Sequence, residues 1–148
     1  MDTSFKIIHN NDTNEEFLDE ISLSYEERFI RRKKLIANKG TEFLVNLKET
    51  VSVDENHYFE LENGNLIKVI SKEENLIEVT GNNLKQIIWH IGNRHLPCQI
   101  EENRILIQED TVIKDMIIKL GGNVTNVVEK FKPEGGAYGI GRTHSHQH

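Results

Sequence analysis

The sequence predicts an α+β protein in two parts, an all-β domain over residues 1–71 and a mixed domain over 75–133, with a flexible tail over 134–148. Three observations predict it. Apolar residues recur with period two up to about residue 70, whereas from Leu76 onwards short period-two runs alternate with stretches of helical period. The polar, unpatterned run Ser71-Lys72-Glu73-Glu74-Asn75 separates the two regimes. Beyond Pro133, residues 135–141 hold four glycines, too many for regular structure to form cheaply.

Residues 1–23 are rich in Asn, Asp and Glu, and predict a loose stretch or one edge strand around Phe5-Lys6-Ile7-Ile8. Ser24 and Glu27 have the spacing of a capping box, in which each side chain takes up the other's backbone N–H, and predict a short helical turn. Phe43, Val45 and Leu47, then Phe59 and Leu61, alternate as strands do. Asn63-Gly64 between Tyr58–Glu62 and Leu66–Ile70 predicts a hairpin with a type I′ turn, which needs positive φ at both central residues.

The second block opens with a strand at Leu76-Ile77-Glu78-Val79. Leu84, Ile87, Ile88 and Ile91 then form one helical face, capped by Asn82 or Asn83 and ended by Gly92-Asn93. Strands Cys98–Glu101 and Arg104–Gln108 are joined at Glu102-Asn103. Val112, Ile113, Met116, Ile117 and Leu120 make a second helical stripe, stopped by Gly121-Gly122, and Val124–Phe131 is a last strand. The order β-α-β-β-α-β is that of the ferredoxin-like fold, an antiparallel sheet with both helices on one face.

Charge and composition exclude several classes. Among 148 residues, 24 acidic and 18 basic side chains give a formal charge of −6, the wrong sign for a general nucleic-acid binder. The local exception, Arg28, Arg31, Arg32, Lys33 and Lys34, reads as a solvated or partner-facing patch. An RNA-binding module of the same element order would need an aromatic RNP1 string, and none occurs. No uninterrupted apolar run exceeds three residues, so no membrane helix is expected. The first residues lack a secretory signal and Cys98 is the only cysteine, so the expected location is the cytoplasm. No nucleophile elbow, phosphate loop or paired zinc-histidine motif is present, which predicts that the protein is not an enzyme.

Histidine carries the chemistry. Of seven, His144, His146 and His148 alternate on the tail, where imidazoles can wrap one ion without a preformed site. Ser145 and Gln147 interrupt the run, unlike a purification tag. His95 stands between Gly92 and Pro97 at an ordered corner between helix and strand. By itself it reads as a structural histidine. An H-x-x-C ligand pair with Cys98 is disfavoured because Cys98 and Ile100 alternate as core positions. His9, His57 and His90 show no metal spacing.

Gly92-Asn93-Arg94-His95-Leu96-Pro97, then Asp115-Met116 and Leu120-Gly121, then Phe131-Lys132-Pro133-Glu134-Gly135-Gly136-Ala137-Tyr138 with a histidine-bearing tail, resemble the UreE family of urease accessory proteins. The resemblance covers most of the chain and is strongest in its C-terminal half. It implies a nickel metallochaperone that dimerises through its ferredoxin-like domain, with His95 supplying one Ni²⁺ ligand from each subunit and Zn²⁺ or Cu²⁺ as competitors. It implies an N-terminal domain that docks partner protein, and it names as partners the urease GTPase accessory protein and the apo-urease maturation complex. Many relatives carry an H-x-H pair before the second helix; here Glu109-Asp110-Thr111 stands there, so that auxiliary site is not expected. The rival within the same chemistry is a nickel or zinc store without a delivery role, because both metals accept imidazole.

Overall fold

The computed structural model describes residues 1–9 and 15–135. The chain divides between Lys72 and Glu73 into two compact units. The predicted α+β class holds, in a sheet-rich form with two helices among the described residues.

The first unit is a six-stranded sheet of β1 (Asp2–Ile8), β2 (Asp19–Leu23), β3 (Phe29–Ile36), β4 (Glu42–Ser52), β5 (Tyr58–Leu61) and β6 (Leu66–Ser71), in the order β2-β6-β5-β1-β4-β3. β1 pairs in parallel with β4 and β2 in parallel with β6, and the other neighbours are antiparallel. Ile21, Leu23, Ile30, Leu35, Phe43, Val45, Phe59, Ile67 and Val69 meet in its core. β1 is therefore an interior strand, not the expected edge: it lies between β4 and β5, and its sparse apolar content conceals that position. β2 and β3 went unpredicted because Asp19-Glu20 and Arg31 to Lys34 mask their buried positions.

Ser24 and Glu27 do form the reciprocal pair, the Ser24 N–H donating to Glu27 Oε1 (2.9 Å) and the Glu27 N–H to Ser24 Oγ (3.3 Å), but on a turn between two strands instead of a helix. Arg28 leaves the predicted basic patch: it is 3% exposed and its guanidinium donates to the Leu23 carbonyl at 3.1 Å. The Asn63-Gly64 hairpin exists with another turn. Only Gly64 has positive φ (88°), and its N–H donates to Leu61 O while the Leu61 N–H donates to Asn65 O, a type I turn closed by a bulge.

The second unit contains β7 (Glu73–Thr80), α1 (Leu84–Asn93), β8 (Cys98–Ile100), β9 (Ile105–Gln108), α2 (Thr111–Lys119) and β10 (Asn123–Lys130). Its sheet order is β10-β7-β9-β8 with every neighbouring pair antiparallel. The expected polar separator is absorbed into strands, leaving only Lys72 between β6 and β7. Glu73 and Glu74 belong to β7 because β10 supplies eight paired residues, from Asn123↔Thr80 to Lys130↔Glu73. Ile87 and Ile91 of α1, and Ile113 and Ile117 of α2, join Ile77, Val79, Ile105 and Ile107 in one core, so both helices cover the same sheet face. Elsewhere in the unit Arg104 gathers Glu78 (2.9 Å), Glu101 (3.0 Å) and Glu129 (2.7 Å).

No helix among the described residues is long and apolar enough to cross a membrane.

Candidate metal centre

The two helices end by the same device, and the difference between them singles out a residue. After α2 the Gly122 N–H donates to Ile117 O and the Gly121 N–H to Ile118 O, both at 3.0 Å, the pattern of a Schellman motif. The motif needs a left-handed residue just past the cap, and Gly121 supplies it with φ 91°. After α1 the Leu96 N–H donates to Ile91 O at 3.3 Å and the His95 N–H to Gly92 O at 2.9 Å, the identical pattern. The left-handed position is now His95, with φ 58°.

An L residue with a side chain pays for this conformation in steric strain of roughly 1–2 kcal/mol, and such outliers concentrate at functional sites. The helix accordingly runs through Gly92 and Asn93, where the sequence predicts its stop, and ends at Arg94. Gly92 is not the terminating glycine. Pro97, three residues beyond Arg94, was the signal that the boundary lay further on.

The corner is held from both sides. Leu96 packs against the core that contains Ile91, and Cys98 begins β8 with its side chain opposite Ile107. The His95 side chain itself is exposed. Asn83, at the N-terminus of α1, makes no side-chain cap; its amide donates to Leu120 O and so ties the start of α1 to the end of α2. Asp110 is the true side-chain cap of α2, accepting from the Ile113 N–H at 3.1 Å.

Burial, and after it the Glu134 carboxylate, pushes the Cys98 thiol above the ordinary thiol range. Its side chain is partly buried against the core of the second unit, where a cysteine behaves as a small hydrophobe. His90 stacks edge-on against Trp89 with ring centroids 5.0 Å apart, and Trp89 is 64% exposed on the outer side of α1. In the first unit His9 and His57 also meet edge-on, at 4.6 Å, and burial followed by the charge of His9 lowers the pKa of His57.

The chain returns to the His95 corner just before the tail begins. The Lys132 N–H donates to Gln99 Oε1 and the Glu134 N–H to Cys98 O at 2.9 Å, three residues past His95. His144, His146 and His148 lie outside the described residues. Among the described residues no three His, Cys, Asp or Glu side chains come together as a metal cluster. Among the described residues His95 is the imidazole that stands at this corner, with Glu134 fastened beside it.

Comparison with known proteins converges on one group. Residues 74–148 match the family model described as the UreE urease accessory protein, C-terminal domain. The chain is 55% identical over 130 residues to the urease accessory protein UreE of Ruegeria pomeroyi, covering 88% of this chain and 87% of that protein. It is 49% identical to the UreE of Rhodobacter capsulatus (88% and 83% covered) and 43% identical to that of Paracoccus denitrificans (84% and 79%).

Proposed function

Because the chain belongs to the UreE family of urease accessory proteins, we propose that it is a nickel metallochaperone, binding Ni²⁺ between two copies of itself and delivering it for assembly of the urease active site. The observation that carries the reading is His95, an exposed imidazole held in the left-handed position that the equivalent corner of α2 gives to glycine. Strained positions of this kind cluster at functional sites, which supports a working role for the side chain presented there. The antiparallel sheet order fourth, first, third, second within the second unit supports a ferredoxin-like domain as its carrier.

A lone imidazole cannot complete the coordination of a four- to six-coordinate ion, so the site assembles in a homodimer with His95 contributed by each subunit. The tail supplies further nitrogens. From Gly135, one residue past the main-chain bond to Cys98, nine residues lead to His144 and span at most about 30 Å when extended. That reach is compatible with His144, His146 and His148 serving as removable ligands at the corner, the role we assign them. Nickel is cargo here, with Zn²⁺ and Cu²⁺ as competitors for the same imidazoles. The first unit docks partner protein, namely the urease GTPase accessory protein and the apo-urease maturation complex, and the exchange takes place in the cytoplasm. The role is that of a carrier, without catalysis.

The alternating tail histidines favour a second reading, a nickel or zinc store without delivery. Isothermal titration of the full chain separates them. Delivery predicts about one tight Ni²⁺ per two chains, lost in His95→Ala together with urease activation in co-expressing cells. A monomer of undiminished affinity, or a His95→Ala chain that still activates urease, would overturn the proposal.

A further inference from the structure

The first unit ends, at one side of its sheet, in a strand whose chemistry is unusual for a chain of net charge −6. β3 is terminal in the strand order and has β4 alone as a ladder partner among the described residues. Four consecutive residues on it, Arg31, Arg32, Lys33 and Lys34, are exposed cations. An edge strand offers its outward main-chain N–H and C=O groups to any extended chain, and charged side chains, inward-pointing lysines above all, are the usual means of refusing one.

Lys33 is such a lysine. Residues opposite one another in a ladder share a face, and Lys33 stands opposite Val45, as its neighbour Leu35 stands opposite Phe43. Val45 and Phe43 are fully buried in the core. The ammonium of Lys33 therefore leaves the strand on the core side of the sheet at its rim, where an added apolar strand would strand it without water. Arg32 and Lys34 leave on the other face, opposite Asn46 and Leu44. Among the described residues carboxylates answer only part of the charge: Lys34 pairs with Glu42 at 3.6 Å between exposed side chains, and Lys33, after the Ser24 N–H bond and Lys72, helps to lower the pKa of Glu27.

Three successive cations pointing alternately to the two faces are matched by three successive carboxylates on a neighbouring strand, which alternate in the same way. We propose that β3 is an acceptor edge for an acidic strand: an extended segment of a partner protein, with consecutive Asp or Glu residues, adds to the sheet beside Arg32–Leu35. Its central carboxylate meets Lys33 and its flanking ones meet Arg32 and Lys34. The lysine that refuses an apolar strand thus selects an acidic one, with main-chain bonds giving affinity and charge giving selection. The proposal rests on the docking role assigned above to the first unit and names the chemistry of what docks.

The test titrates the full chain with the capped peptide Val-Glu-Glu-Glu-Val and follows backbone amides by NMR. Saturable binding is expected, with shifts confined to β3 and its β4 partners, slowed exchange of β3 amides, and weakening as salt rises. The Val-Gln-Gln-Gln-Val peptide should not bind, and Lys33→Glu should lose the acidic peptide while retaining its nickel stoichiometry. No binding, shifts centred elsewhere, or equal displacement by inorganic polyphosphate, which has no main chain to pair, would overturn it. Pull-down of the urease accessory proteins separates the two levels. If Lys33→Glu still captures them the acceptor edge is refuted and docking stands, whereas failure of the parent chain to capture them refutes docking itself.

Discussion

Replacing His95 by glycine should make the protein more stable and useless as a carrier. At φ 58° a residue with a side chain bears about 1–2 kcal/mol of strain that glycine does not. Glycine loses about 0.4–1 kcal/mol more than other residues through the greater freedom of the unfolded chain, which offsets part of the gain. Some 0.5–1 kcal/mol should remain, and for a unit of this size that raises the melting temperature by roughly 2–8 °C. The informative comparison is with His95→Ala, which removes the same imidazole but keeps the strained backbone. Both variants should lose tight Ni²⁺, and glycine alone should gain stability. Thermal unfolding in the presence of a chelator, read by the fluorescence of Trp89, the only tryptophan and a residue of α1, reports on the correct helix. If His95→Gly melts no higher than His95→Ala, the corner is unstrained and the inference from backbone to ligand fails.

Other perturbations follow from the packing. A Cβ on Gly122 would sit 2.8 Å from both Ile117 Cγ2 and Ile87 Cδ1, so Gly122→Ala should cost about 1–3 kcal/mol of stability by forcing α1 and α2 apart, measurable by urea unfolding. Burial pushes the Asp19 carboxyl up, but hydrogen bonds from the Thr41 side chain and from the Glu20, Lys39 and Thr41 N–H groups together hold its pKa below the ordinary value. Its stabilisation is complete above the unfolded carboxylate pKa and vanishes as pH falls through the lower folded one. Asp19→Asn should therefore cost stability at neutral pH and little in strong acid; equal loss at both would refute it. Truncation after Ile140 should leave dimerisation intact and one weaker, faster-exchanging nickel site, seen by titration and stopped-flow chelation. Unchanged affinity and exchange would make the tail a store.

What could be read from the sequence depended on whether a residue's job leaves a trace in its type. The end of α2 was legible because its left-handed position holds glycine; the end of α1 was not, because a histidine there looks like any other. The helices and strands of the second unit could be placed because Leu84, Ile87, Ile88 and Ile91, and later Ile113, Met116 and Ile117, keep a helical period. β3 was hidden by the charges that suit a sheet edge, and Arg28 looked like a member of that patch although it folds inward to a carbonyl. The hairpin at Asn63-Gly64 was visible but its turn type was not, since Asn63 accepts either sign of φ. His95 drew attention as a ligand only through the resemblance of Gly92–Pro97 to a known family. Spacing could not have done it, because the ligands proposed to complete the site come from another chain and a distant tail.

β7 is made first in its unit and lies inside the finished sheet, yet its partner along its whole length is β10, the strand made last. Until Asn123–Lys130 has been synthesised, the run Leu76-Ile77-Glu78-Val79 has one side open, and it carries some of the most deeply buried residues of the unit. The order of synthesis and the order of pairing are thus opposed, and a nascent chain passes through an adhesive stage that the complete one does not show. Frameshifts and proteolytic cuts ahead of Asn123 should yield insoluble fragments, whereas cuts beyond Gly135 spare the sheet. The same closure brings Glu73 beside Lys130, so the start of the first strand of the sheet and the end of its last are neighbours, and the sheet is suited to having those strand ends joined and its chain reopened at Glu102-Asn103.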